Sequence, residues 1–340
     1  MPIYRNAVSD PPLPTWSKER EGTLFIGALD IINKQYEMMH FIASGSSGEV
    51  WKAYARETDR VLAVKMMKLP GFSVRAARAV DVASRLMSAG SIELFCELLG
   101  KGVYKNHHFL VFELQGASLA MFLSRPASMV LLQQQKDAII LQIINGVNHL
   151  HTLDMNVLQD VRIKIVDLED TRTLIAKSTA FVGTIGYTPP EVYCGIGWGF
   201  SLDVYSFGCV MYEIQYGRRF MPDFPQVNAS FAFLERAIGP FKPMLVKEIR
   251  EHCDFLFTDD TKRPRVQVSR QYARLVNAEV GSFRDILRNH ISNGSHAFKC
   301  LMVRCLNADS RVRPTAEDCV KHLQIQADGS LPPVDETMAE

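Results

Sequence analysis

An α+β fold of two parts, a small strand-rich one followed by a larger helical one, is what this 340-residue sequence predicts. Three observations carry that expectation. From Tyr36 to about Phe112, short apolar runs are broken by glycines and charged turns, as in strands joined by tight connections. After residue 116 the apolar residues recur at helical spacing instead. The composition, 47% hydrophobic against 22% charged, is that of a chain able to fill a core, which excludes a disordered, fibrous or low-complexity protein.

In chain order, residues 1–35 read as a polar, Pro-containing leader. The clearest strand runs are Phe41-Ile42, Val50-Trp51-Lys52-Ala53-Tyr54, Val61-Leu62-Ala63-Val64-Lys65-Met66 and Phe109-Leu110-Val111-Phe112. One helix is expected among them, near residues 74–88. Ile139, Ile140, Ile143, Val147 and Leu150 predict a long buried helix over 131–151, and Val204, Phe207, Val210, Met211 and Ile214 predict a second. The folded region is expected over 36–323, divided at 114/115, with an insert near 220–290 and a tail over 324–340. The pattern suggests two lobes with a cleft between them.

The formal net charge of +1 gives no global reason to expect nucleic acid or an acidic membrane as partner. No run approaches the roughly 18 apolar residues of a membrane helix, and the first residues lack the pattern of a secretory signal. An intracellular protein, cytoplasmic or nuclear, is expected. The seven cysteines are widely spaced with no C-x-x-C, which predicts reduced thiols and no zinc site.

Residues 42–50 read Ile-Ala-Ser-Gly-Ser-Ser-Gly-Glu-Val. Such a glycine-rich turn between strands lets backbone N–H groups approach phosphates, and it equally suits a plain hairpin. Fifteen residues past Val50, the apolar strand Leu62-Ala63-Val64 delivers Lys65. Taken singly, that lysine reads as a snorkelling side chain. In this order the two resemble the glycine-rich loop and lysine strand of the protein kinases.

The resemblance extends over roughly residues 36–323. Phe109–Leu114 resembles the last small-lobe strand and the hinge, with Phe112 at the gatekeeper place. Asn156-Val157-Leu158 resembles the metal-binding Asn and the floor of the adenine pocket. Ile163–Glu169 resembles the strand leading into Asp-Phe-Gly. Gly183–Glu191 resembles the end of the activation segment, Ser201–Gly208 the central helix, and Arg311–Ala316 the closing Arg-Pro. The resemblance implies ATP with Mg as cofactor and a protein substrate or protein partner. It implies a nucleotide site of Ile42, Gly45, Gly48, Val50, Ala63, Lys65, Phe112, Glu113, Leu114 and Leu158, with Asn156 and Asp167 as metal ligands. It also implies a buried Glu191–Arg313 ion pair and an Asp203 that holds the catalytic-loop backbone. Gly195–Asp203, Phe207–Glu213 and Glu235–Phe241 are similar to SR-protein kinases and CDC-like kinases of the CMGC group.

The sequence departs from the family in four places. Ala43 replaces the first loop glycine. Ala79 stands where the family has the Glu partner of the lysine; Asp81, two residues on, lies off that helix face. The Asp-Phe-Gly motif reads Asp167-Leu168-Glu169. Finally, His149-Leu150-His151 is followed by Thr152-Leu153-Asp154-Met155 and then Asn156, about eight residues shorter than the family's His-Arg-Asp loop. Asp154 is the only nearby carboxylate and a weak candidate base. A four-residue connection spans at most about 14 Å, enough to close the chain but not to wrap a loop around a substrate hydroxyl. Three readings follow: a pseudokinase serving as scaffold or allosteric partner; an active ATP-dependent Ser/Thr protein kinase whose recorded sequence lacks part of the catalytic loop; or a binding module that takes no nucleotide.

Overall fold

The computed structural model describes residues 26–45, 47–68, 73–89, 93–123, 131–152, 164–167, 171, 178–258, 265–289 and 296–327. The chain divides into two compact units. One comprises the chain up to Val80 with Glu97–Gln115, the other Asp81–Cys96 with the chain from Gly116.

The first unit is an antiparallel sheet of β1 (Ile31–Ile32), β2 (Tyr36–Ser44), β3 (Gly48–Ala55), β4 (Arg60–Met67), β5 (Leu98–Tyr104) and β6 (His107–Glu113), in the order β1-β2-β3-β4-β6-β5. In β4, Leu62 to Met67 are all buried. A strand covered on both faces has no polar alternation, which is why this run is continuous in the sequence. On one face Leu62, Val64 and Met66 join Trp51, Ala53, Phe109 and Val111, under Ile26, Ile32 and Met38. On the other face Leu110 and Phe112 pack against Ala76, Ala79 and Val80 of α1 (Ser73–Ser88). Order therefore begins before residue 36: the stretch assigned to a leader supplies β1 and the buried Ile26. Its apolar residues are too few to show a period, but they cap one sheet face.

The second unit holds α2 (Leu119–Leu123), α3 (Gln133–Thr152), α4 (Pro190–Tyr193), α5 (Ser201–Tyr216), α6 (Val227–Ala237), α7 (Pro243–Cys253), α8 (Arg270–Asn289), α9 (His296–Cys305) and α10 (Ala316–Ala327). Helix α5 is its axis, with nine buried residues from Val204 to Gln215. It stops at Gly217, whose φ of 69° is the left-handed conformation that spares a Cβ clash. Inside α5, Gly208 lies against α9; an added Cβ would come 2.9 Å from Cβ of Cys305. The stretch near 220–290 is part of the core: Phe231, Phe233, Leu245, Ile249, Val276 and Phe283 are buried in it. Helix α10 starts with a reciprocal cap, in which Asp318 N–H donates to Thr315 Oγ1 at 3.1 Å and Thr315 N–H to Asp318 Oδ2 at 3.0 Å. Among the described residues no helix is long and apolar enough to cross a membrane. All seven cysteines are free thiols.

Candidate active site

In the sheet unit, strand pairing sets the candidate nucleotide residues in register. Ala43 pairs with Val50, Val50 with Lys65, and Lys65 with Leu110. One step along, Lys52 pairs with Ala63 and Ala63 with Phe112. Directly paired residues share a face, and alternate residues of one strand do too. Val50, Ala63, Lys65, Leu110 and Phe112 therefore lie on the α1 side of the sheet. Lys65 is 8% exposed.

Helix α1 meets that face with alanine. Ala79 is 5% exposed and packs with Ala76, Leu110 and Phe112. Asp81 is exposed and pairs with Arg85 one turn on, at 3.1 Å. The carboxylate nearest in sequence to the missing glutamate is thus engaged along its own helix.

The glycine-rich turn closes on itself. Gly45 N–H donates to Gly48 O at 2.9 Å, and Lys68 Nζ donates to Gly45 O at 2.7 Å. A Cβ on Gly48 would overlap the carbonyl oxygen of Met66; the close approach of two strands demands glycine there. At Gly45 the space is open. Ile42 is exposed on β2. At the end of β6, Glu113 folds back: its Oε1 accepts from Glu97 N–H at 3.0 Å, while its own N–H donates to Glu97 O at 3.2 Å. Leu114 follows, 37% exposed. His107, the first residue of β6, is turned inward: it is 4% exposed, with Nδ1 2.8 Å from Met67 O.

In the helical unit, the segment before Asp167 is tied down on both sides of Ile165. Ile165 N–H donates to Leu94 O at 2.8 Å and Cys96 N–H to Ile165 O at 2.9 Å. Gly146 of α3 makes room for this side chain, since a Cβ there would come 2.5 Å from Ile165 Cδ1. Asp167 itself has φ +68° and an exposed side chain. This left-handed conformation is uncommon outside glycine, and aspartate is among the residues that tolerate it. Asp154, Asn156, Leu158, Leu168 and Glu169 lie outside the described residues.

The end of α3 carries a contact that the sequence did not announce. His151 Nε2 donates to Asp203 Oδ2 at 3.0 Å, and its ring stacks on Phe200 at 4.7 Å. A histidine and an acid 52 positions apart give no local signal. Beyond it, Ser178 pairs with Trp198 as a short bridge, and Trp198 Nε1 donates to Ala180 O at 2.7 Å. Tyr187 donates its hydroxyl to Glu213 of α5, and Ser206 Oγ donates to Tyr187 O at 2.9 Å. Burial first, and then Glu213, push the Tyr187 phenol up to about 12.

Helix α4 then delivers Glu191 into the interior. Arg313 reaches it with Nη1 at 2.6 Å and Nη2 at 2.8 Å. The remaining guanidinium donors go to the carbonyls of Asn307, Ser201 and Ala308, so all five N–H bonds of Arg313 find an acceptor. The guanidinium also lies 5.0 Å from the centre of the Tyr205 ring.

Whether ATP and Mg fit can be judged from these residues. Lys65 on its strand and the open space at Gly45 suit a phosphate chain, provided the Gly45–Gly48 bond opens. Of the two metal ligands that the family resemblance implies, Asp167 is described and exposed; among the described residues no group of three or more His, Cys, Asp or Glu is placed to hold an ion.

A small antiparallel sheet bearing a buried strand lysine, with a helical unit built round a buried Glu–Arg pair, defines a kinase-type α+β fold. The protein kinase domain family matches residues 36–325, and the chain belongs to that family. Its fold is similar to the crystal structure of a kinase domain, with a TM-score of 0.72 at 17% identity, over 88% of this chain and 98% of that one. Among curated proteins it is 23% identical to the serine/threonine-protein kinase AFC3 of Arabidopsis thaliana, over 93% of this chain and 87% of that protein. It is 25% identical to homeodomain-interacting protein kinase 1 of Caenorhabditis elegans, over 72% of this chain and 31% of that protein. A third relative is the stress-activated protein kinase jnk-1 of the same worm, 25% identical over 70% of this chain and 54% of that protein. These three relatives are kinases of the CMGC group.

Proposed function

We propose that this chain is a catalytically impaired member of the family, a pseudokinase that acts as a scaffold or allosteric partner of another protein and holds ATP–Mg weakly or not at all. The observation that carries the reading is the His151–Asp203 contact. By family resemblance Asp203 should hold the catalytic-loop backbone; here it accepts from a side chain at the end of α3, and only four residues separate His151 from Asn156. That span is too short to present a hydroxyl-accepting carboxylate. Ala79 in the apolar seat of α1 and the closed Gly45–Gly48 turn support the same reading. Any nucleotide would be held by Val50, Ala63, Lys65 and the hinge residues Glu113 and Leu114, with Asp167 and Asn156 for the metal, within a domain over 36–323.

The test is phosphate transfer from labelled ATP, with Mg or Mn, to itself and to a generic basic protein. The expected result is no transfer above that of Lys65→Ala. Robust transfer that Lys65→Ala abolishes sinks the proposal. A second reading, an active Ser/Thr protein kinase whose sequence here lacks a short in-frame piece, is favoured by the buried Lys65 and the left-handed Asp167. Transcript sequencing across codons 145–165 decides it: a clean junction excludes that reading. Thermal shift with ATP–Mg separates a nucleotide-binding pseudokinase, which gains melting temperature, from a module that binds none.

A further inference from the structure

Helix α8 carries an arginine stripe that the described fold does not neutralise. At about 100° per residue, Arg270, Arg274, Arg284 and Arg288 fall within about 80° of one another around the axis, over a length of about 27 Å. All four are exposed. Other arginines of the helical unit find carboxylates: Arg218 meets Glu279 at 2.7 Å, Arg250 meets Asp254 at 3.7 Å and Arg311 meets Glu248 at 2.9 Å. Among the described residues, none of the four on α8 has such an ion pair. Arg284 donates instead to the carbonyl of Arg236 at 2.9 Å, and Arg236 donates to Oδ1 of Asn277, itself on the stripe, at 2.8 Å. A fifth guanidinium thereby joins the edge of the stripe, held by a neutral oxygen. The acids of α8 are Glu279, taken by Arg218, and Asp285.

Gly281 stands at the middle of this stripe, between Arg274 and Arg284. A glycine inside a helix costs stability relative to alanine. Gly146 of α3 and Gly208 of α5 each have a neighbour that demands them, since an added Cβ would come 2.5 Å from Ile165 Cδ1 and 2.9 Å from Cys305 Cβ. At Gly281 an added Cβ would meet no described atom within 4 Å. Packing among the described residues gives no reason for glycine there. What the missing side chain provides is a notch, where another backbone can come close to the helix between two pairs of arginines.

We infer that α8 is a docking surface for an acidic segment of a partner protein, whose carboxylates meet the two arginine pairs while its backbone crosses at Gly281. An arginine fork takes a carboxylate through two parallel bonds. An extended segment of about eight residues matches the length of the stripe. A protein segment suits this face better than a nucleic acid. The stripe carries no aromatic side chain on which bases could stack. The chain as a whole has 38 basic against 37 acidic residues, without the excess that draws in a polyanion. The surface uses no residue of the candidate nucleotide site, so it holds or fails separately from the question of phosphate transfer.

The experiment measures, by fluorescence anisotropy, binding of a labelled peptide of alternating aspartate and glutamate, about ten residues long, to the full chain. The asparagine–glutamine counterpart of the peptide is the control. The acidic peptide is expected to bind about tenfold more tightly than the control, with an affinity that falls as salt is raised. Arg270→Glu together with Arg274→Glu should remove that advantage; acids suit the N-terminal part of a helix, so the fold is kept. Gly281→Gln should raise the melting temperature, because glutamine favours the helix, and yet weaken the peptide about fivefold. Attraction to a diffuse positive surface would not feel that last change. Equal binding of the two peptides, or undiminished binding by Gly281→Gln, overturns the inference. So does tighter binding of a labelled RNA or DNA duplex than of the acidic peptide. Residues 328–340 of this chain hold four acids and no Lys or Arg. If Asp328→Asn, Asp335→Asn, Glu336→Gln and Glu340→Gln together strengthen peptide binding about tenfold, that segment rather than a partner is the occupant, and the inference fails.

Discussion

Arg313 and Glu191 are the residues whose loss the fold should feel most. The Arg313 side chain is 0% exposed and that of Glu191 2%. Removing one partner of such a pair strands the other charge in the interior, which costs about 3–5 kcal/mol. Arg313→Leu is accordingly expected to lower the stability of the helical unit by that amount in urea unfolding followed by circular dichroism. Arg313→Lys should recover only a small part, since a lysine cannot supply the fork and the three carbonyl bonds together. A loss below about 1 kcal/mol, the size of an exposed pair, would contradict this account. Legibility at this scale depended on whether a residue's role is set by a short motif. The Glu191 and Arg313 positions stand in recognisable strings, Pro-Pro-Glu and Arg-Pro-Thr. His151 and Tyr187 take their roles from Asp203 and Glu213, side chains far along the chain, and nothing local marks them. His107 faces inward beside a turn, and adjacency to a turn says little about which way a side chain faces.

Among the elements, α5 shows how tightly two helices can be drawn together. A methyl group on Gly208 would meet the Cβ of Cys305 at 2.9 Å and Leu306 Cγ at 3.1 Å, atoms too close to their own backbone to swing aside. Gly208→Ala gains up to about 1 kcal/mol of helix propensity, but overpacking costs about 1–3 kcal/mol. The expected net is a destabilisation of about 1–2 kcal/mol, with α5 and α9 forced apart; thermal melting of the variant checks the sign. The helices α3 and α5 were legible because their buried faces are wide and long. Strand β5 was not, because Gly100, Lys101 and Gly102 interrupt its apolar pattern, and Gly102 is needed where the Phe109 ring lies on the strand. The helices near 220–290 were visible only as an insert, although Phe220, Phe233 and Phe283 form a ring cluster there with centroids 5.5–6.2 Å apart.

At the scale of the whole molecule, the helical unit concentrates buried phenols. Tyr187 and Tyr212 are pushed up to about 12, and Tyr193, Tyr205 and Tyr216 are raised as well, in each case first by burial. A raised folded-state value means that the unfolded chain ionises first. The stability these groups contribute is therefore complete below pH 10.0 and is lost as pH rises through about 12. Urea midpoints are expected to fall steadily across that window, and Tyr187→Phe should soften the fall; midpoints flat from pH 10 to 12 would count against it. The division into a strand-rich and a helical unit was legible from the change of period near residue 116, because each unit fills its own core. The helix of the strand-rich unit has a further consequence. It rests on the sheet through alanines, Leu110 and Phe112. Adhesion of that kind loosens on cooling. Lowering the temperature is therefore expected to weaken this apolar seat of α1.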